Sequence, residues 1–391
     1  TDLTYWEEDP EAAVKALNNC YTYLGNMDEQ LYSEAMTDNA YTKQPNDFTQ
    51  NIGNGSYSTA DSYVKQVWDG RYTGIRMCNQ LLENIDRVPD LDPELKKRYI
   101  GEAKVLRAYN YYELYTKFGD VPYTTKVLSI KESMSIARTD RATVIANMLA
   151  DLDEVINGNY LPASYDADNK GRITRWAAMA IKAKIYLFEG NWTQVKNITS
   201  TIMTEGGFRL FGSYAGLFEI ANEYNSEVIL DAQYRPTSRE HQMMYAFLPP
   251  SLGGYSQLSP LQELVDSYIM LDGKTIRETG TSFDESNPYA NRDPRLKATV
   301  MYTGNSYTLA DGTEVVINCE KGEGKDGYGV GSDCSATGYY IKKYWDNTYR
   351  ATLYSGLNPI LIRYADILLM NAEALAELGE LDKTAWDATI K

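Results

Sequence analysis

The side chains able to do covalent or metal chemistry are few. The 391-residue chain holds one histidine, His241, and four scattered cysteines, Cys20, Cys78, Cys319 and Cys334. A single imidazole nearly removes histidine-based triads and His-rich metal centres from consideration. No C-x-x-C occurs, so a thiolate zinc site is not expected. Cys20 and Cys78 sit in helical patterns and read as buried thiols. Cys319 and Cys334 bracket a Gly-rich segment, and the sequence leaves open whether they pair. "GEGKDG" (322–327) matches G-x-G-x-x-G literally, but more glycine follows it and no helix, so it reads as a loop. "DADNKG" (166–171) begins like a calcium loop, yet Lys170 stands where an oxygen ligand belongs and Ala177 occupies the twelfth position. It reads as a turn before the next helix. Asp and Glu number 54, so two carboxylates can meet by chance and the count picks out no glycosidase pair.

The outlying residue is tyrosine, 33 against 8 phenylalanines. A ring with a polar edge suits half-wet positions, between helices or in a ligand groove. Net charge is −16, with no basic run, which argues against nucleic acid and anionic lipid as partners. No apolar run approaches the length of a membrane span. No signal peptide is visible; the first residues already read as folded protein, so any export signal is absent from this numbering. No cofactor is expected.

Helical patterns fill the first half. "DPEAAVKALNNCYTYL" has an acidic first turn, and "SYVKQVWDGRYTGIRMCNQLLENID" carries apolar residues near a 3.6 period. "DPELKKRYIGEAKVLRAYNYYELYTKFGD" begins with Asp92 as N-cap and Pro93 at the first helical position and ends at Gly119. It is apolar almost all round, so it packs on more than one neighbour. "AAMAIKAKIYLFEGNWTQV" and "ILLMNAEALAELGELDKTA" align on Gly190 and Gly379: an Ala-rich helix, a Gly, then a large apolar residue two positions later. "YNYYELYTKFGDVP" fits the same frame at Gly119. Gly119 and Gly190 lie 71 residues apart, close to two tetratricopeptide periods of about 34. The expected fold is mainly α, a tetratricopeptide-like scaffold of three or four helix pairs within one domain. The scaffold covers about 1–205 and 358–391. A long, irregular, loop-rich insert at about 206–357 carries a few short strands, confined to about 206–349.

The segment 101–123 then resembles a signature of the SusD/RagB family, through Glu102, Ala103, Leu106, Arg107, Ala108, Tyr109 and "FGDVP" (118–122). "NPILIRYADILLMNAEALAELGE" resembles its second signature, with Asp366 where Glu is usual. "GRITRWAAMAIKAKIYLFEGNW", "LQELVDSYIMLDGK" and "NRDPRLKATV" follow the family's order. The resemblance implies a lipid-anchored protein on the outer surface of a Gram-negative outer membrane. It implies capture of a glycan and delivery to a SusC-like TonB-dependent transporter barrel, without catalysis. The acidic helical body would dock on that barrel away from the glycan loops, and the protein alone would be a monomer. The lipid-bearing N-terminal cysteine is absent. The sequence ends at Lys391, before the further helices that family members carry, and leaves open whether the natural chain continues. A binder of other cargo, such as peptides for a similar transporter, and a glycan-degrading enzyme are the alternative readings.

Signature residues read as structural, with Arg107 and Glu102, or Arg363 and Glu373, in polar contacts between helices. The glycan site is expected in loops, where rings can stack on sugar C–H faces and Asp or Asn can meet hydroxyls. Two regions qualify: 37–63, and the insert with "PPSLGGYSQ", "NPYANRD", "MYTGNSY" and "YYIKKYWDNTYR". The candidates are Asp38, Asn39, Tyr41, Tyr57, Tyr255, Tyr289, Tyr302 and Trp345. A converging Arg292 or Arg350 would be needed to accept an anionic glycan.

Overall fold

The computed structural model describes residues 4–44, 48–349 and 352–390. The scaffold helices are α1 (Ala12–Tyr21), α2 (Met27–Tyr32), α3 (Ser62–Asn84), α4 (Pro93–Phe118) and α5 (Arg141–Asn157). They continue with α6 (Arg175–Phe188), α7 (Trp192–Glu205), α8 (Tyr364–Glu377) and α9 (Lys383–Thr389). α1 packs on α3 and α4, α3 on α4, α4 on α5, and so on through α7 on α8 and α8 on α9. This file of neighbouring helices is the tetratricopeptide-like arrangement, and α7 meets α8 across the whole insert.

Local chemistry sets the helix ends. Asp92 accepts from the Leu95 amide at 2.9 Å, and Pro93 opens α4. At the end of α6, Gly190 N–H donates to Leu187 and Asn191 N–H to Tyr186. At the end of α8, Gly379 and Glu380 repeat the pair on Ala376 and Leu375. Both glycines sit in the left-handed region, with φ of 68° and 70°. These are Schellman closures, in which glycine adopts that φ without a Cβ penalty. Asn159 makes the same closure after α5 with φ 52°, a turn that a search for glycine passes over.

α4 is buried on nearly every side, through Ala103, Leu106, Leu114, Tyr111 and Tyr115. Its polar groups tie it to its neighbours. Arg107 reaches Asp151 of α5 at 2.5 Å and Asn79 of α3 at 2.9 Å. Fully buried Glu102 accepts from Tyr21 at 2.6 Å and pairs with Arg172 and Arg98. Tyr111 donates to the Thr124 carbonyl and accepts from its amide. The Arg363–Glu373 contact is not formed. Glu373 is exposed, and Arg363 pairs with buried Glu227 at 2.7 Å.

Eight short strands form four antiparallel two-stranded pairs among the described residues. β1 (Ala40–Thr42) pairs with β3 (Leu258–Pro260), and β2 (Val228–Asp231) with β8 (Ile360–Arg363). β4 (Val300–Met301) pairs with β7 (Tyr340–Ile341), and β5 (Ser306–Thr308) with β6 (Glu314–Val316). Strands are therefore not confined to 206–349. β1 and β8 lie outside that range because the insert strands β3 and β2 find their backbone partners in the flanking chain. A second apolar core holds Met244, Phe247, Leu258, Tyr307 and Tyr340, and it takes in Met27, Leu31, Ala35 and Ala40 from the first half. All four cysteines are buried free thiols, so Cys319 and Cys334 are not linked. Asp166 caps a short turn at Ala167–Asn169. No described helix is long and apolar enough to cross a membrane.

Candidate functional site

The stretch "LPPSLGGY" builds an exposed aromatic surface. Pro250 starts a tight turn, Pro250–Leu252, and Gly253 takes φ 86°. Gly254 then passes so close to Leu248 that a Cβ there would sit 2.1 Å from its carbonyl oxygen. The chain doubles back, and Tyr255 N–H donates to the Tyr245 carbonyl at 2.7 Å. The two rings come to rest nearly parallel, 5.6 Å apart at 16°. Tyr245 is braced by its hydroxyl, which donates to the Thr352 carbonyl at 3.2 Å. Tyr255 is 52% exposed and Tyr354 is 38% exposed, so their rings are offered to solvent rather than spent in a core.

These rings line an open groove of about 850 Å³, whose opposite wall is helix α2. Asn26, Asp28 and Tyr32 come from that wall, and Glu240, Gln242 and Gln257 supply further polar groups from the insert. Asn26 also caps α2, accepting from the Glu29 amide at 2.8 Å. The result is flat apolar faces ringed by amides and carboxylates. That set can stack on a ring with C–H faces and hydrogen-bond its hydroxyls.

His241 lies at the groove's base, 6% exposed. Its Nε2 is 3.1 Å from the Leu357 carbonyl. A carbonyl only accepts, so Nε2 carries the proton and Nδ1 holds the lone pair. Burial pushes its pKa down to about 4, so the ring is neutral at physiological pH. It meets Tyr234 edge-on at 5.1 Å and thereby fixes a ring of the groove. Ser355 and Asp346 lie near it, but Ser355 donates directly to Asp346 at 2.6 Å and is fully buried. No nucleophile relay is formed there. Among the described residues no cluster of His, Cys, Asp and Glu could hold a metal ion.

Of the eight sequence candidates, Tyr255 lines this groove. Tyr41 stands opposite Ser259 on β1, exposed, while its neighbours Ala40 and Thr42 are buried. Strand alternation puts it on the face of Lys43, whose ammonium donates to the Tyr255 carbonyl. Tyr41 is not among the residues that line the groove. Asp38 and Tyr57 are exposed away from the groove lining. Asn39 donates to Glu34 at 2.9 Å and lines a different cavity of about 510 Å³ at the seam of scaffold and insert. Tyr289 and Tyr302 stack on each other at 3.9 Å in a small satellite core, and Trp345 donates its indole N–H to Thr308 while packing on Tyr307. Arg292 is buried on carbonyls of Val265, Tyr268 and Pro288, and Arg350 lies outside the described residues. Sequence reasoning passed over Tyr245, Tyr354, Tyr234 and the α2 wall. Tyr245 sits in "MMYAF", which reads as core, and α2 reads as scaffold.

The chain is a file of helix pairs interrupted by a loop-rich insert, a tetratricopeptide-like frame with an open tyrosine groove where the two meet. A family model described as "Starch-binding associating with outer membrane" matches residues 11–187, and one described as "SusD family" matches 217–391. The chain belongs to the SusD/RagB family. SusD-like protein P25 of Formosa agariphila is 28% identical over 96% of this chain and 75% of its own length. The crystal structure of a SusD-like carbohydrate binding protein from Bacteroides fragilis superposes with a TM-score of 0.88 at 26% identity, covering 99% of this chain and 78% of that one. A laminarin binding SusD-like protein superposes with a TM-score of 0.75 at 24% identity, over 96% of this chain and 82% of that one, and shows the same fold.

Proposed function

We propose that the protein binds a glycan in the Tyr245–Tyr255 groove without turning it over, and passes it to a TonB-dependent transporter at the outer membrane. The observation that carries this reading is the stacked pair itself. Two parallel rings are held rigid by a glycine-forced loop and left facing an open groove. A core has no use for a ring 52% exposed, while a sugar face does. Family membership and relatives described as carbohydrate binding and laminarin binding support the ligand class. Binding without turnover rests on family membership and on a relative described as carbohydrate binding. Surface association through a lipid anchor and docking on a SusC-like barrel rest on family membership. Of the sequence candidates, the reading retains Tyr255, which lines the groove. The test is a glycan array run beside a hydrolysis assay on the same polysaccharides. Binding without product is expected; product formation would replace this reading with an enzymatic one.

A further inference from the structure

The groove carries a charge pattern as well as a shape. Asp28 and Glu240 line it, and among the described residues no lysine or arginine does. Glu240 is held in place, accepting from the Thr237 amide at 2.8 Å. His241 is neutral and adds no positive charge. Lys43 and Arg239 come near, and neither lines the groove. The ammonium of Lys43 donates to the backbone carbonyls of Tyr255, Ser332 and Cys334. The guanidinium of Arg239 lies 5.1 Å from the centre of the Tyr234 ring, over that aromatic face. The whole chain adds a field of net charge −16.

Taking the groove to be the glycan site, on which this selectivity rests, we infer that it admits neutral sugar chains and rejects uronate- and sulfate-bearing ones, with Asp28 and Glu240 as the selecting groups. A carboxylate accepts strong, charge-assisted hydrogen bonds from sugar hydroxyls. The same carboxylate repels an anion brought into a half-desolvated groove, and the repulsion weakens as salt screens it. One pair of side chains therefore does both tasks. Selectivity arises from an opposing interaction as much as from an attractive one.

The test uses the whole chain, with two sets of hexasaccharides as probes. The neutral set holds oligomers of glucose, mannose, galactose and xylose. The anionic set holds oligogalacturonate, oligoalginate and sulfated galactan. Wild type, Tyr255→Ala and the double variant Asp28→Asn/Glu240→Gln are titrated at low and high salt. Wild type should bind at least one neutral probe and bind every anionic probe at least tenfold more weakly, with the gap narrowing at high salt. The double variant should lose several-fold in affinity for the neutral probe and gain several-fold for the anionic ones. An anionic probe bound as tightly as the best neutral one, and lost in Tyr255→Ala, overturns the selectivity while leaving the groove a glycan site. No binding by either set, or binding indifferent to Tyr255→Ala, overturns the glycan reading of the groove and the selectivity with it.

Discussion

Arg107 is 4% exposed yet charged, and its partners explain why the fold keeps it. The guanidinium crosses from α4 to Asp151 of α5 and Asn79 of α3, so one side chain fixes three helices relative to each other. Replacing it by Met keeps volume but leaves the Asp151 carboxylate with Lys104 alone, at 3.4 Å. Breaking such a buried pair from one side costs about 3 kcal/mol. Urea unfolding of Arg107→Met should show that loss with an unchanged slope. A loss under about 0.5 kcal/mol would mean the network is incidental. The proposed glycan face obeys a different logic, because Tyr255 holds no helix in place and leaves its ring 52% exposed. Its exposure was readable from a loop of Gly, Pro and Tyr. Its partner Tyr245 was not, since nothing in "MMYAF" says which of its apolar faces a distant loop will leave uncovered.

At the scale of elements, the 248–255 loop is the device that shapes the proposed site. Gly254 approaches the Leu248 backbone too closely for any side chain. Gly254→Ala should therefore displace Tyr255 and lower glycan affinity as much as Tyr255→Ala does, about five- to tenfold. Retained affinity in a folded Gly254→Ala variant would show that the loop does not set the ring. The β2–β8 seam carries a second device. Glu223 accepts from the Asn358 amide at 2.8 Å, and Asn358 also donates to buried Asp231. Burial first, and the nearby Asp231 and Asp346 carboxylates after it, push Glu223 up from its ordinary 4.5 to about 7. The folded state thus holds this proton more tightly than the unfolded chain. Stability from this group is fully present below about pH 4.5 and falls as pH rises to about 7. Glu223→Gln is neutral throughout, so its melting temperature should exceed that of wild type above pH 7 and match it near pH 4.5. An offset independent of pH would remove Glu223 as the cause.

Taken whole, the molecule is a rigid helical file that presents a groove at its junction with the insert. The file was legible in residue order: alanines that let helices close, Gly190 and Gly379 at the turns, and an aromatic α4 with neighbours on several sides. The junction was not. Strand pairs β1–β3 and β2–β8 join segments more than 100 residues apart, and so does the wall that α2 gives the groove. Three-residue strands carry too little pattern to announce such partners. This is why Trp345, Tyr289 and Tyr302 stood level with Tyr255 in sequence, although their rings pack on one another or on Tyr307 in the fold. On the proposed reading, the stacked pair holds a glycan by its faces. Calorimetric titration of a bound neutral oligosaccharide into wild type, Tyr255→Ala and Tyr245→Ala/Tyr255→Ala tests it most directly. At about 1 kcal/mol per stacked ring, the single variant should lose about fivefold and the double about thirtyfold, with circular dichroism unchanged. A folded double variant that binds as tightly as wild type would contradict the account.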